Sequence, residues 1–180
     1  ADYLVLNYDD ETVRKYARPA RAKVMFFSRR VKLPAGIYLA GGKLVLDWQG
    51  EIHPFGNIND LKIKGRHNIE NAMAAAGVAF LGGVKVSDIA VTLREFPGVE
   101  HRIEPVTTIN GVEYFNDSKA TNPDSSIKAL ESFGGHIILI AGGRDKHTDL
   151  TALMTLVRQK VDHLLLLGEA AERFQQAAID

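Results

Sequence analysis

Apolar positions along the chain switch repeatedly between a spacing of two and a spacing of three to four, which predicts short strands alternating with helices. Residues 3–7 (Tyr-Leu-Val-Leu-Asn) read as a buried strand. Asp9 or Asp10 then caps a short helix to about Arg18, with Val13, Tyr16 and Ala17 on one face. A second strand covers 23–28 (Lys-Val-Met-Phe-Phe-Ser). Two further β-rich runs, 37–40 and 43–48, flank Gly41-Gly42 and predict a hairpin, and a short strand is expected near 61–63. Ile69, Met73, Ala76 and Phe80 share one helical face, so 67–81 is predicted helical, with Gly82-Gly83 as its stop. Ser87 is expected to cap the next helix, which turns Ile89, Leu93 and Phe96 inward and ends at Pro97-Gly98.

Pro97-Gly98 marks a domain boundary, because the pattern restarts after it. Strands over 103–109 and 112–115 enclose Asn110-Gly111, the strongest short hairpin signal. Asn122-Pro123 opens a helix to about Phe133, closed by Gly134-Gly135. The unbroken apolar run 137–141 fits a parallel strand covered on both faces. A helix at 149–159, a strand at 163–167 and a helix from Gly168 onward complete an α/β repeat. The first strand has no preceding partner, and Asp180 falls inside a helix. The expectation is therefore an internal segment of a longer protein.

Composition narrows the function classes. Of 180 residues, 46% are hydrophobic and 24% charged, an ordinary globular balance. No apolar run approaches the roughly 18 residues that span a bilayer, and Ala1-Asp2-Tyr3 does not begin a secretory signal. With no cysteine, disulfides, thiolate catalysis and cysteine zinc sites are excluded. The 22 basic and 22 acidic residues cancel, which argues against nucleic acid or an anionic membrane as a partner. A cytoplasmic protein acting on small molecules is the expectation.

Four polar segments could carry chemistry. Asn68 and Asn71 lie three apart at a helix start, where two amides on one face could read the edge of a base; capping is the blander alternative. Arg102, in Val-Glu-His-Arg at the boundary, could make a bidentate contact to phosphate or simply pair with Glu100 or Glu104. Asn116-Asp-Ser-Lys-Ala-Thr-Asn122 lies between a strand end and a helix N-terminus, where anions and nucleotides gather. There Asp117 could accept from ribose hydroxyls and Lys119 could neutralise phosphate. Ala141-Gly-Gly-Arg-Asp-Lys146 follows another strand, and its glycines would permit close backbone approach while Arg144 or Lys146 holds a carboxylate. Neither a P-loop nor Gly-x-Gly-x-x-Gly occurs, and the histidines show no metal-ligand spacing.

Taken in order, His67-Asn68-x-x-Asn71-Ala72, His101-Arg102-x-Glu104, Asn116-Asp-Ser-Lys-Ala-Thr-Asn122 and Ala141-Gly-Gly-x-Asp145-Lys146 resemble the motifs of the Mur ligases. These are the ATP-dependent amide ligases of peptidoglycan precursor synthesis, and the third string resembles that of their D-glutamate-adding branch. The resemblance implies an α/β fold. Residues 1–98 would be the latter part of a central ATPase domain with a mixed sheet. Residues 99–180 would be the first part of a Rossmann-like, parallel-sheet domain that binds the amino acid. The P-loop and the Mg²⁺ ligands would lie upstream of Ala1, so this chain alone would be inactive. The full-length protein would be a monomer.

The resemblance also implies roles. Asn68 and Asn71 would lie near the adenine of ATP, with Asn71 the firmer contact, and Asp117 would hold the ribose. Arg102 and Lys119 would meet the phosphates or an acyl phosphate, as the catalytic cations. Thr121 and Lys146 would bind the carboxylates of D-glutamate, to be joined to UDP-N-acetylmuramoyl-L-alanine. Glu100 departs from the proline that many relatives carry before the His-Arg pair. Closure of the two domains on ATP would follow from nucleotide contacts on both sides of Pro97-Gly98. Two alternatives remain: another ligase of the superfamily with the same acyl-phosphate chemistry, and a non-catalytic α/β nucleotide-binding module.

Overall fold

Three two-residue turns do much to set the architecture. Gly41-Gly42, Gln49-Gly50 and Asn110-Gly111 each place both residues at positive φ (55° and 79°, 55° and 87°, 51° and 81°). Two consecutive left-handed residues form the turn whose twist matches that of paired strands. Each joins adjacent antiparallel strands, with Ala40 opposite Lys43, Trp48 opposite Glu51 and Ile109 opposite Val112.

The computed structural model describes residues 2–179. It divides into two compact units, Ala1–Gly98 and Val99–Asp180. In the first, β1 (Tyr3–Asn7), β2 (Lys23–Ser28), β3 (Gly36–Ala40), β4 (Lys43–Trp48) and β5 (Glu51–Asn57) form one mixed sheet in sequence order. β1, β2 and β3 run parallel, whereas β3, β4 and β5 are antiparallel. α1 (Glu11–Lys15) is capped by Asp10, whose carboxylate accepts from the Thr12 and Val13 N–H groups. α1 is shorter than its sequence pattern suggests: no residue of it is buried, and Tyr16 is 60% exposed.

The strand expected near 61–63 is absent. The fifth strand lies earlier, at Glu51–Asn57, followed by a single 3₁₀ turn at Ile58–Asp60. Pro54 and Gly56 disguise β5 as a loop. β5 is the outer strand, where the missing N–H of a proline can face solvent.

α2 (Arg66–Leu81) packs on β1, β2 and β3, and α3 (Val86–Glu95) packs on β5 and α2. Met25, Ile37, Leu44, Leu46 and Met73 fill the space between them at 0–2% exposure. Truncating any one to alanine would cost roughly 2–5 kcal/mol. Gly77 lets α2 approach closely: a Cβ there would sit 3.2 Å from Val5 Cγ1 and 3.3 Å from Met25 Sδ. The helix stops as expected at Gly82-Gly83. Gly83 is left-handed, and the N–H groups of Gly83 and Val84 donate to the Phe80 and Ala79 carbonyls. Ser87 does not cap α3. The cap is Lys85, two residues earlier; Val86 packs against the core, and the Ser87 hydroxyl donates to Asp88.

The second unit opens with the hairpin β6 (Glu104–Ile109) and β7 (Val112–Asn116). α4 (Pro123–Glu131) has Asn122 as its cap, with the side chain accepting from the Ser125 N–H at 2.8 Å, and Pro123 at its first turn. β8 (Ile137–Gly142) and β9 (Val161–Leu167) pair in parallel, separated by α5 (Thr151–Lys160) and followed by α6 (Ala171–Ile179). Leu130, Leu150, Leu153, Met154 and Val157 form this unit's core, with Ile137, Leu139, Leu164 and Phe174 packed against it. Among the described residues, cover on β8 comes from one face. Exposure alternates along it, leaving Ile138 58% and Ile140 66% exposed, because the residues packed on this core come from one face only. No helix among the described residues is long and apolar enough to cross a membrane.

Candidate functional site

In the first unit the relevant surface is the first turn of α2. Gly65 begins the helix at φ 97° without a side-chain cap, so neither asparagine is a capping residue. Asn68 is 8% exposed, and both ends of its amide are engaged: Nδ2 donates to the Lys64 carbonyl (2.6 Å) and Oδ1 accepts from Asn71 Nδ2 (3.2 Å). Asn71 is exposed. The pair is therefore asymmetric: Asn68 fixes the amide plane, and Asn71 presents a carbonyl oxygen and a second N–H to solvent. An acceptor and a donor side by side suit the amino and ring nitrogens of a purine edge. Glu70, between them in sequence, accepts from Arg29 Nε at 3.2 Å, tying this turn to the end of β2.

Beside that contact lies a cluster the sequence did not announce. Asp9 accepts from the Ser28 hydroxyl (2.6 Å) and the Arg29 N–H (2.8 Å). Ser28, fully buried, accepts in turn from the N–H groups of Arg30 and Val31. Asp9 read as a possible helix cap, and a lone serine after an apolar strand carries no signal of burial.

In the second unit three loops converge. β6 and β7 are antiparallel with Glu104 opposite Asn116, so the turn before β6 meets the loop after β7. The contacts are specific. Ile103 N–H donates to Asp117 Oδ1 (3.0 Å), and Lys119 N–H donates to the His101 carbonyl (3.0 Å). Asn116 Nδ2 lies 2.9 Å from His101 Nδ1, and Glu104 accepts from the His101 N–H at 2.8 Å. Arg102 sits in the middle of this turn, exposed, between two residues at positive φ (His101 65°, Ile103 47°). Its pairing with Glu104 is not seen: Glu104 holds His101 and Asn116 instead. The turn also shifts the start of β6 from 103 to 104.

The third loop follows β8. Lys146 Nζ donates to the Thr121 carbonyl at 2.8 Å, which binds it to the loop after β7. Asp145 is held by Arg173 and accepts the His147 N–H (2.8 Å). The Arg173 guanidinium holds the Asp145 carboxyl below its ordinary value of 3.8, helped by that N–H and opposed by burial. Of the two glycines of this loop, Gly142 makes its close approach to the protein's own backbone, and Gly143 is itself approached by Gly168. A Cβ on Gly142 would lie 1.9 Å from the Leu167 carbonyl oxygen, and one on Gly168 would lie 2.9 Å from Gly143.

The structure thus brings together Arg102, Asp117, Lys119, Thr121 and Lys146 in the second unit, while Asn68 and Asn71 pair in the first. The chemical sense of the second group is plain: exposed lysines and an arginine, backed by one carboxylate, on loops beside the N-terminus of α4. Such a set favours anionic ligands. Among the described residues no group of three or more His, Asp or Glu side chains could hold a metal ion. The Mg²⁺ ligands that the resemblance implies are expected upstream of Ala1, outside these residues.

Comparisons with known proteins bear on which anions. Residues 101–179 match the family described as Mur ligase, glutamate ligase domain. Over 99% of its length the chain is 43% identical to a UDP-N-acetylmuramoylalanine–D-glutamate ligase from Alkaliphilus metalliredigens, of which it spans 39%. It is 44% identical, over 98% of the chain and 39% of the relative, to the ligase of the same name from Clostridioides difficile. Among solved structures it resembles MurF from Acinetobacter baumannii (TM-score 0.72, 18% identity, 98% of this chain and 41% of that one). It also resembles a pseudomurein peptide ligase type C from Methanothermus fervidus (TM-score 0.72, 16% identity, 97% and 44%). At those identities the structural likeness is one of fold.

Proposed function

The chain belongs to the Mur ligase family, with residues 101–179 as its glutamate ligase domain, and on that premise we propose that it is part of an ATP-dependent ligase joining D-glutamate to UDP-N-acetylmuramoyl-L-alanine. The observation that carries this reading is the hydrogen-bonded convergence of the Arg102, Asp117–Thr121 and Lys146 loops. It is supported by relatives of that name at 43–44% identity over nearly the whole chain. Because the chain spans only 39% of those relatives, the activity is proposed for the longer protein.

A carboxylate does not accept an amine directly, because oxide is too poor a leaving group. In the proposed reaction a carboxylate oxygen of UDP-N-acetylmuramoyl-L-alanine attacks the γ-phosphorus of ATP, giving an acyl phosphate and ADP. The amine of D-glutamate then adds to the acyl carbon and loses a proton, and inorganic phosphate leaves from the tetrahedral intermediate. The protein's task is to position three anionic reactants and offset the charge on transferring phosphoryl oxygens. Arg102 and Lys119 are assigned to those oxygens, and Thr121 and Lys146 to the carboxylates of D-glutamate. Asn71, oriented by Asn68, is assigned to adenine. Asp117, whose carboxylate also accepts from the Ile103 N–H, is assigned to the ribose.

The test uses the full-length protein, and phosphate release should require UDP-N-acetylmuramoyl-L-alanine and D-glutamate together. Release with either one alone, or equally with another amino acid, would contradict the reading. A Lys119→Ala change should lower turnover by about a hundredfold or more, the scale of losing one charge-stabilising group, with little change in melting temperature. Unchanged turnover would remove Lys119 from the mechanism.

A further inference from the structure

The sequence motifs stop at Lys146, yet the contacts around it reach further along the chain. Arg173 projects from the first turn of α6 back to the loop after β8. Its Nε lies 3.0 and 2.9 Å from the two oxygens of Asp145, and a terminal nitrogen lies 2.9 Å from one of them. The other terminal nitrogen donates to the Thr148 carbonyl at 2.8 Å. The Asp145 side chain is 9% exposed and the Arg173 side chain 33%, so the carboxylate is covered while part of the guanidinium meets water. Lys146 therefore sits between two points, Asp145 and Thr148, that one guanidinium clamps. Its own ammonium is exposed and already aimed at the Thr121 carbonyl.

Packing alone does not require this arrangement. α6 is docked through Phe174, Ala177 and Ala178 against the core of the unit. Its start is bound to Gly143 by the Ala170 N–H (3.0 Å), and the far end of the loop is anchored by buried Leu150. Between those anchors, residues 145–148 are held from other elements by Arg173 and, through the Lys146 side chain, by the Thr121 carbonyl. The planar fork of Arg173 fixes direction as well as distance, which a lysine cannot do.

We infer that Arg173 is a positioning residue for amino-acid binding, setting Lys146 through the Asp145 carboxylate and the Thr148 carbonyl. It acts through Lys146 and does not itself touch the substrate. This deepens the proposed function and rests on its assignment of Lys146 to D-glutamate.

The test measures KM for each of the three substrates, kcat and melting temperature in the full-length protein, with Arg173→Met, Arg173→Lys, Lys146→Ala and the Lys146→Ala/Arg173→Met double variant. Arg173→Met should raise KM for D-glutamate about tenfold or more, the scale of a charge-assisted hydrogen bond. KM for ATP and for the nucleotide substrate should stay within about twofold. Arg173→Lys should fall between, retaining the charge but not the fork. In the Lys146→Ala background, Arg173→Met should add little, because the two changes remove one interaction. An unchanged KM for D-glutamate, a parallel rise in all three KM values with a fall in melting temperature, or full additivity in the double variant would each overturn the inference alone. A wild-type protein whose turnover ignores D-glutamate would overturn the underlying reading, and this inference with it.

Discussion

Ile103 is an unlikely residue to find at φ 47°, a left-handed conformation that crowds a β-branched side chain and costs roughly 1–3 kcal/mol. It is held there by burial to 8% exposure and by its N–H bond to Asp117. The strain turns the chain sharply on either side of Arg102, and nothing in the sequence around it signals such a bend. Asp145 is the complementary case, a motif carboxylate whose partner lies 28 residues on, beyond any local pattern. Its depressed pKa has a consequence for stability. A carboxyl held below its ordinary value of 3.8 stabilises the folded state fully above that pH, and the contribution is lost as pH falls through 3.8 and below. The stability difference between the protein and its Arg173→Met variant should therefore be constant near neutrality and shrink progressively below about pH 4. Chemical denaturation of both across pH 2.5–7 checks this; a gap that widened toward acid would contradict it.

Elements were legible where their signals were local. Gly-Gly and Asn-Gly turns, the Asn122-Pro123 start of α4 and the Gly82-Gly83 stop of α2 all fall where periodicity and turn chemistry place them. Signals that depend on neighbours were misread. Gln49-Gly50 makes the same turn as Gly41-Gly42, but a glutamine at φ 55° is tolerated only once the flanking strands pair. β5 hid behind Pro54, which an outer strand accommodates. The β8 loop shows the same divide: Gly142 was legible as a close approach, but the surface approached is Leu167. Gly142→Ala should accordingly destabilise the protein by more than about 2 kcal/mol, because φ 135° and a carbonyl oxygen at 1.9 Å leave a Cβ no room. A melting temperature within a degree of the original would contradict that packing.

At the scale of the molecule, the candidate residues divide between two units that are each organised around their own core, Asn68 and Asn71 in one and the five loop residues in the other. The seven-residue string Asn116–Asn122 stands out in the sequence as a candidate site because it is longer and more polar than a helix cap needs to be. What the sequence could not convey is how it is held: by the turn before β6 on one side and by Lys146 on the other. Those contacts hold the string between the other two loops, as the proposed assignments require. The proposed reaction leaves an atomic record that tests it most directly. With ¹⁸O in the L-alanine carboxylate of UDP-N-acetylmuramoyl-L-alanine, the full-length protein should release one labelled oxygen in inorganic phosphate for each amide formed with D-glutamate, because the bridging oxygen of the acyl phosphate departs with phosphorus. Amide formation accompanied by unlabelled phosphate would contradict the account.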